Sequence, residues 1–128
     1  MIGAVADTSL FIANESGRAL DWRRVPERLF VSIVTFAELR AGVLAADAPA
    51  LRARRLATLE RVQRLQPVPI DERVAEAWAV LRLELRDAGV RLKANDAWIA
   101  ATALSLGLPL LTQDGDFNGV PGLTVVRV

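Results

Sequence analysis

Five acidic residues stand where apolar runs end or helical patterns begin. Asp7 follows a small apolar run near the amino terminus, Glu38 lies one turn into a helical segment, Asp96 begins another, and Asp114 and Asp116 come just after Leu110-Leu111. Hydroxyls accompany them at Thr8, Ser9 and Thr112. Carboxylates that converge repel one another, and without a counter-charge some of them stay protonated at neutral pH. A divalent cation relieves that repulsion. Mg²⁺ takes hard oxygen ligands, usually one or two carboxylates together with waters and phosphate oxygens, and hydroxyls such as those of Ser9 or Thr112 suit the positioning of its waters. A cation held in this way polarises a phosphodiester, lowers the pKa of an attacking water and neutralises the leaving oxygen, all without histidine.

Composition removes most competing chemistries. The 128-residue chain contains no His and no Cys, and every one of its 16 basic residues is arginine except Lys93. A Ser-His-Asp triad, a thiolate nucleophile, a zinc finger and a His-ligated transition metal are therefore excluded. The balance of 16 basic against 15 acidic residues leaves a net charge of +1, too small for bulk electrostatics to argue for nucleic acid. The zero cysteine count fits a reducing cytosol. Residues 1–6 have no basic stretch before Asp7 interrupts them, so no secretion signal is read. The segment Ala97 to Gln113 contains Thr102, Ser105, Gly107 and Pro109 and falls short of the roughly 18 continuous apolar residues of a membrane span. A soluble cytoplasmic protein with no membrane association is expected. Its hydrophobic fraction of 52% is high for a small domain and points to a self-association or partner surface, with a homodimer expected.

The elements that must position the acids can be read from punctuation and period. Gly3 to Ala6 reads as a short buried strand ending in a polar turn at Asp7-Thr8-Ser9, and Leu29 to Ile33, after Pro26, as a second strand. Thr35, with Glu38 three residues on, has capping-box spacing and predicts a helix to about Ala46. Pro49 opens a helix over 50–65, closed by Pro67 and Pro69. A helix over 71–88 carries Val74, Trp78, Leu81, Leu85 and Ala88 as an apolar stripe at helical period, and Gly89 stops it. Asn95 is placed to cap a helix over 96–106, ended by Gly107 and Pro109. Leu110 to Thr112 and Leu123 to Arg127 read as the last strands. Strands alternating with helices predict an α/β domain, a central, mainly parallel sheet with helices on both faces, whose ligand site lies outside the carboxyl ends of the strands.

On those helices Asp96 shares a face with Ile99, Ala100 and Ala103, and Glu38 with Ala41, Gly42 and Ala45, so both acids sit on apolar stripes and need a partner. Each acid also has an ordinary reading as a turn or cap residue. Taken together, caps and turns do not explain why all of them gather at one rim of the sheet.

The same residues carry a family resemblance. Val5-Ala6-Asp7-Thr8-Ser9, the segment Ser32 to Gly42 centred on Glu38, Asn95 to Ala103 containing Asp96, and Leu111-Thr112-Gln113-Asp114-Gly115-Asp116-Phe117 resemble, in order and spacing, the PIN-domain nucleases and among them the VapC-type ribonuclease toxins of bacterial toxin–antitoxin pairs. The resemblance covers nearly the whole chain and implies a single three-layer α/β domain over residues 1–128 that hydrolyses RNA with Mg²⁺ or Mn²⁺ at an acidic quartet. Carried over, the quartet is Asp7, Glu38, Asp96 and Asp114, with Asp116 an alternative fourth acid and Thr8, Ser9 and Thr112 accessory hydroxyls. Asp7 and Asp96 are then direct metal ligands, while Glu38, Asp114 and Asp116 ligate directly or through water. The implied partners are RNA and a cognate antitoxin protein.

Other features are less specific. Arg52, Arg54, Arg55, Arg61 and Arg64 on one segment fit a polyanionic substrate, an acidic antitoxin or a solvated helix face. Trp22, flanked by charges, is a candidate contact for a partner or base, whereas the Val74-Trp78-Leu81-Leu85 stripe reads as core. Alternative functions fit the residues less well, a haloacid-dehalogenase-type phosphatase among them, because Ser9 stands where its second Asp is needed. A response-regulator receiver lacks its acidic pair here, since Asp7 stands alone, Asp47 follows a helix and Lys93 precedes one. A nuclease fold kept only for protein interaction is a further alternative.

Overall fold

The computed structural model describes residues 1–128. Four strands, β1 (Gly3–Ala6), β2 (Arg28–Phe30), β3 (Leu110–Thr112) and β4 (Val125–Arg127), form one sheet in the order β2-β1-β3-β4 with every pairing parallel. Five helices surround it: α1 (Thr8–Glu15), α2 (Ile33–Ala45), α3 (Pro49–Arg64), α4 (Glu72–Ala88) and α5 (Ala94–Leu106). A parallel sheet covered on both faces needs strands apolar on both sides. The two central strands meet that need, since every residue of β1 and β3 is buried.

Alternation along those strands divides the core in two. Ala4, Ala6 and Leu111 point to one face and pack with Leu10, Leu39, Val43, Leu59 and Val62 of α1, α2 and α3. Val5 and Leu110 point to the other and pack with Leu81, Leu85, Ile99, Ala100 and Ala103 of α4 and α5. This is the three-layer arrangement expected from the sequence. Phe117 and Val120, in the loop after β3, are sealed into the second cluster, so the segment carrying Asp114 and Asp116 is pinned at its far end.

The element boundaries depart from expectation at four places. Asp7-Thr8-Ser9 is not a free turn: Asp7 is the N-cap of α1, whose carboxylate accepts from the Ser9 amide at 3.4 Å, and Gly17, with φ +75°, follows its end. β2 stops at Phe30 because Ser32, not Thr35, caps α2, its hydroxyl accepting from the Val34 amide at 3.0 Å. Thr35 therefore lies inside the first turn of α2, and Glu38 is not half of a capping box. Lys93, rather than Asn95, is the N-cap residue of α5 and makes no side-chain capping bond, which places Asp96 in the first turn. The last strand is shorter than 123–127, beginning at Val125. No helix is long and apolar enough to cross a membrane.

Candidate functional site

The order β2-β1-β3-β4 reverses direction between β1 and β3, and in parallel α/β sheets ligands bind at such a switch, beyond the carboxyl ends of the strands. Asp7 follows β1 and Thr112 ends β3, so the two flank the switch point. A cleft of about 460 Å³ opens there, lined by Asp7, Thr8, Ser9, Glu38, Asp96, Asp114 and Asp116 and also by Lys93 and Asn95. The structure thus brings all five sequence-read acids into one cleft, with the hydroxyls of Thr8 and Ser9 beside them. Thr112 lies beneath as a buried partner to two of them.

Asp7 is almost completely buried, and its Oδ2 is the hub of a hydroxyl network. Ser9 Oγ donates to it at 2.6 Å and Thr112 Oγ1 lies 3.0 Å away. The backbone amide of Gln113 donates to Ser9 Oγ at 3.0 Å and that of Asp114 to Thr112 Oγ1 at 3.2 Å, which orients both hydroxyls. Thr112 has one proton for two carboxylates, Asp7 Oδ2 at 3.0 Å and Asp114 Oδ1 at 3.3 Å, so it couples them. Burial raises the pKa of Asp7, the bonds from Ser9 and Thr112 lower it, and the charge of Asp114 raises it again, with a net upward displacement.

Glu38 is held from a different direction. Thr8 Oγ1 donates to Glu38 Oε1 at 2.8 Å and lies 2.9 Å from Thr35 Oγ1, so the one proton Thr8 spends on Glu38 makes Thr35 the donor to Thr8. The relay Thr35–Thr8–Glu38 runs from the buried start of α2 to the cleft. Its function was not legible in the sequence, where Thr35 had the right type for a cap and only the position of Ser32 frees it. The expected apolar stripe beneath Glu38 is corrected too, since Ala41 and Ala45 are exposed. Beneath Asp96 the stripe is present: Ile99, Ala100 and Ala103 are wholly buried.

Asp96 is the most perturbed acid of the cleft. Partial burial and then repulsion from Asp7, Asp116, Glu38 and Asp114 push its pKa up to about 6. Asp116 acts on it more strongly than Asp114 does, whereas Asp114 acts on Asp7. Asp114 Oδ1 is engaged by Thr112 Oγ1 and by the Asp116 amide at 3.1 Å, and Asp116 is exposed toward the opening. The two acids after β3 therefore serve different neighbours. No three acidic groups approach closely enough to cage an ion by direct contact alone. The donors are all hard oxygens, and the charges of Asp7 and Asp96 are destabilised by their surroundings, which fits a strongly hydrated cation bound by one or two carboxylates and waters.

Beyond the cleft, Ile12 and Glu38 are shared with a groove of about 280 Å³ lined by Arg54 and Arg55 of α3. Arg55 Nη1 donates to the Gly42 carbonyl at 2.7 Å and ties α3 to α2, so it has a structural task, whereas Arg52, Arg61 and Arg64 are exposed. Trp22 is exposed beside the Asp21–Arg23 ion pair and does not line the acidic cleft. The stripe on α4 is core at Val74, Leu81 and Leu85, but Trp78 is half-buried and stacks on Trp98 of α5. Asp47 lies between α2 and α3 and does not line the cleft.

Comparison with known proteins gives concordant results. A family model described as PIN domain matches residues 4–123. The chain is 50% identical over 124 residues to Ribonuclease VapC5 of Mycobacterium tuberculosis, covering 97% of this chain and 92% of that protein. It is 47% identical over 125 residues to Ribonuclease VapC4 of the same organism, covering 98% and 96%. Among solved structures, that of VapBC-5 from Mycobacterium tuberculosis, a member of the VapBC family of toxin-antitoxin systems, superposes with a TM-score of 0.91 at 45% identity over the full length of both chains. The DNA-bound VapBC from Salmonella typhimurium gives a TM-score of 0.84 at 25% identity, covering 99% of this chain and 98% of that one.

Proposed function

Because the chain belongs to the PIN domain family and, within it, to the VapC ribonucleases of toxin–antitoxin systems, we propose that its acidic cleft hydrolyses RNA phosphodiester bonds with the aid of Mg²⁺ or Mn²⁺. The observation that carries this reading is the gathering of five carboxylates at the β1–β3 switch point, two of them with raised pKa values. Asp7 and Asp96 would hold the cation directly, with Glu38, Asp114 and Asp116 reaching it through water. Once bound, the cation supplies the polarisation of the phosphodiester, the acidity of the attacking water and the neutralisation of the leaving oxygen.

The chain's own residues do the rest. Glu38, fixed at Oε1 by Thr8, keeps its other oxygen to orient the attacking water. Ser9 and Thr112 hold Asp7 in place. Lys93, which also lines the cleft, offers a positive charge to a substrate phosphate. Water attacks phosphorus in line as the bond to O3′ breaks, and O3′ takes up a proton, leaving a 5′-phosphate and a 3′-hydroxyl. The protein acts in the cytoplasm as a toxin, restrained by a cognate antitoxin. The VapBC relatives support the antitoxin partner.

The test is cleavage of RNA by the purified protein with Mg²⁺ or Mn²⁺, with EDTA, and with Asp7→Asn or Asp96→Asn. Metal-dependent cleavage lost in both variants is expected. Cleavage in EDTA, or full activity in both variants, overturns the mechanism; absence of any cleavage by the metal-loaded wild type favours the non-catalytic interaction module. Transfer of phosphate from a small phosphodonor onto the protein would instead favour a receiver.

A further inference from the structure

Behind Lys93, across the first turn of α5, lies a second groove of about 380 Å³ between α4 and α5, whose walls include Trp78, Arg82, Arg86, Arg91, Ala94 and Trp98. No carboxylate lines it. The rings of Trp78 and Trp98 stack with centroids 4.7 Å apart and 11° between planes, and the Arg82 guanidinium sits 5.1 Å from the Trp78 centroid. Both indoles are half-buried, and Arg82 and Arg91 are exposed with no carboxylate paired to them. Two tryptophans would pack α4 on α5 without any arginines at all. The groove gathers three, of which Arg86 pairs with Asp87 while Arg82 and Arg91 have no acidic partner, in a chain whose charges otherwise nearly balance.

The groove is continuous with the acidic cleft. Ala94 lines both, and a depression formed by Arg91, Leu92, Lys93, Asp96 and Asp116 joins them. Cationic side chains thus lead from an aromatic platform to the acids. An occupant that matches this sequence of surfaces has flat π faces, repeated negative charge and a group that a cation in the cleft would take. Single-stranded RNA has all three, because its unpaired bases stack on aromatic rings while arginine pairs with its phosphates. An acidic peptide meets the charge of the groove but would carry its carboxylates into a cleft of five more.

We propose that the Trp78–Trp98 groove is a nucleobase-stacking subsite that binds single-stranded RNA beside the scissile phosphate, with Arg82 and Arg91 contacting the backbone. The inference rests on the ribonuclease reading above. It is tested with a 12-nucleotide single-stranded RNA and Mg²⁺, in an Asp7→Asn background that stops cleavage, by measuring affinity and its salt dependence. Trp98→Leu, which keeps apolar volume but removes the π face, is expected to weaken binding about tenfold. Trp98→Phe, which keeps an aromatic face, restores most of it. Arg91→Gln, at an exposed position that does not threaten folding, is expected to lower both affinity and the slope of log affinity against log salt, by about 0.7 for a lost phosphate contact.

Wild type that neither binds nor cleaves the oligonucleotide overturns the ribonuclease reading and this inference with it. Wild type that binds and cleaves, with Trp98→Leu and Arg91→Gln binding as tightly as their parent, overturns the subsite alone. Variants that keep RNA affinity and lose affinity only for the purified cognate antitoxin also overturn it and assign the groove to a protein partner.

Discussion

Replacing Asp96 by Asn should make the metal-free protein more stable while abolishing its activity. The folded-state pKa of Asp96 is raised from 3.8 to about 6 by burial and by the four carboxylates around it. For an enclosed group a displacement of that size corresponds to about 3 kcal/mol. Asp96 is half-exposed, so solvent screening reduces this to about 1.5 kcal/mol. Asn also forfeits the attraction of a carboxylate for the amino-terminal turn of α5, about 0.5 kcal/mol, leaving a net gain of about 1 kcal/mol. The sign follows from linkage. A raised carboxyl pKa means the folded state binds more protons, so the penalty is absent below 3.8, grows between 3.8 and about 6, and is full above that. Urea unfolding followed by tryptophan fluorescence in EDTA should therefore show Asp96→Asn more stable than wild type at pH 7.5 and equal to it near pH 3.5. Saturating Mg²⁺ should reverse the order, because a ligand at a hundred times its Kd stabilises the wild type by about 2.7 kcal/mol and the variant by less. Destabilisation of the variant in EDTA at pH 7.5, or a gain that persists unchanged at pH 3.5, refutes the view that carboxylate crowding strains this site.

Other consequences follow from the same geometry. Thr8→Val should reduce RNA cleavage mainly through kcat, since Glu38 loses its donor, and should cost about 1 to 3 kcal/mol because the Thr35 hydroxyl is left buried without its acceptor; Thr8→Val with Thr35→Val should regain most of that stability but not the activity, as read by unfolding and single-turnover cleavage. Phe117→Ala should destabilise the fold by about 3 to 5 kcal/mol in denaturant titration and weaken Mg²⁺ binding as well, because Phe117 anchors the loop that carries Asp114 and Asp116. Asp116→Asn should lower the pKa of Asp96 more than Asp114→Asn does, measurable by carboxyl NMR titration of the metal-free protein. Exposed apolar side chains such as Leu44, Val80 and Leu83 should support a homodimer, read as twice the chain mass in light scattering; a monomer at high concentration would count against it.

The chemistry was legible in the sequence because it depends on residue type. A chain without His or Cys, carrying acids at the ends of apolar runs, has hard-cation carboxylate chemistry open to it whatever its fold, and β1 and β3 announce themselves as buried parallel strands by being apolar on both faces. The helix after Asp7 is not distinguishable in the sequence because Asp-Thr-Ser serves a turn and a helix start equally well, and the start of α2 is ambiguous because Ser32 and Thr35 are both competent caps. Local sequence does not break such ties; packing on the sheet does.

Only the tertiary structure decided who meets whom. Residues 7, 38, 96 and 114 become neighbours through parallel crossovers that set the register of β1 against β3, and that proximity is what raises the pKa of Asp96. The same folding frees Thr35 to support Glu38, places Lys93 at the edge of the acidic cleft, and brings Trp78 and Trp98 from separate helices into one stack. Residue types set which bonds a side chain can make, and the sequence displays them. Distances across a sheet arise from burying both its faces at once, and no local stretch of the chain contains them.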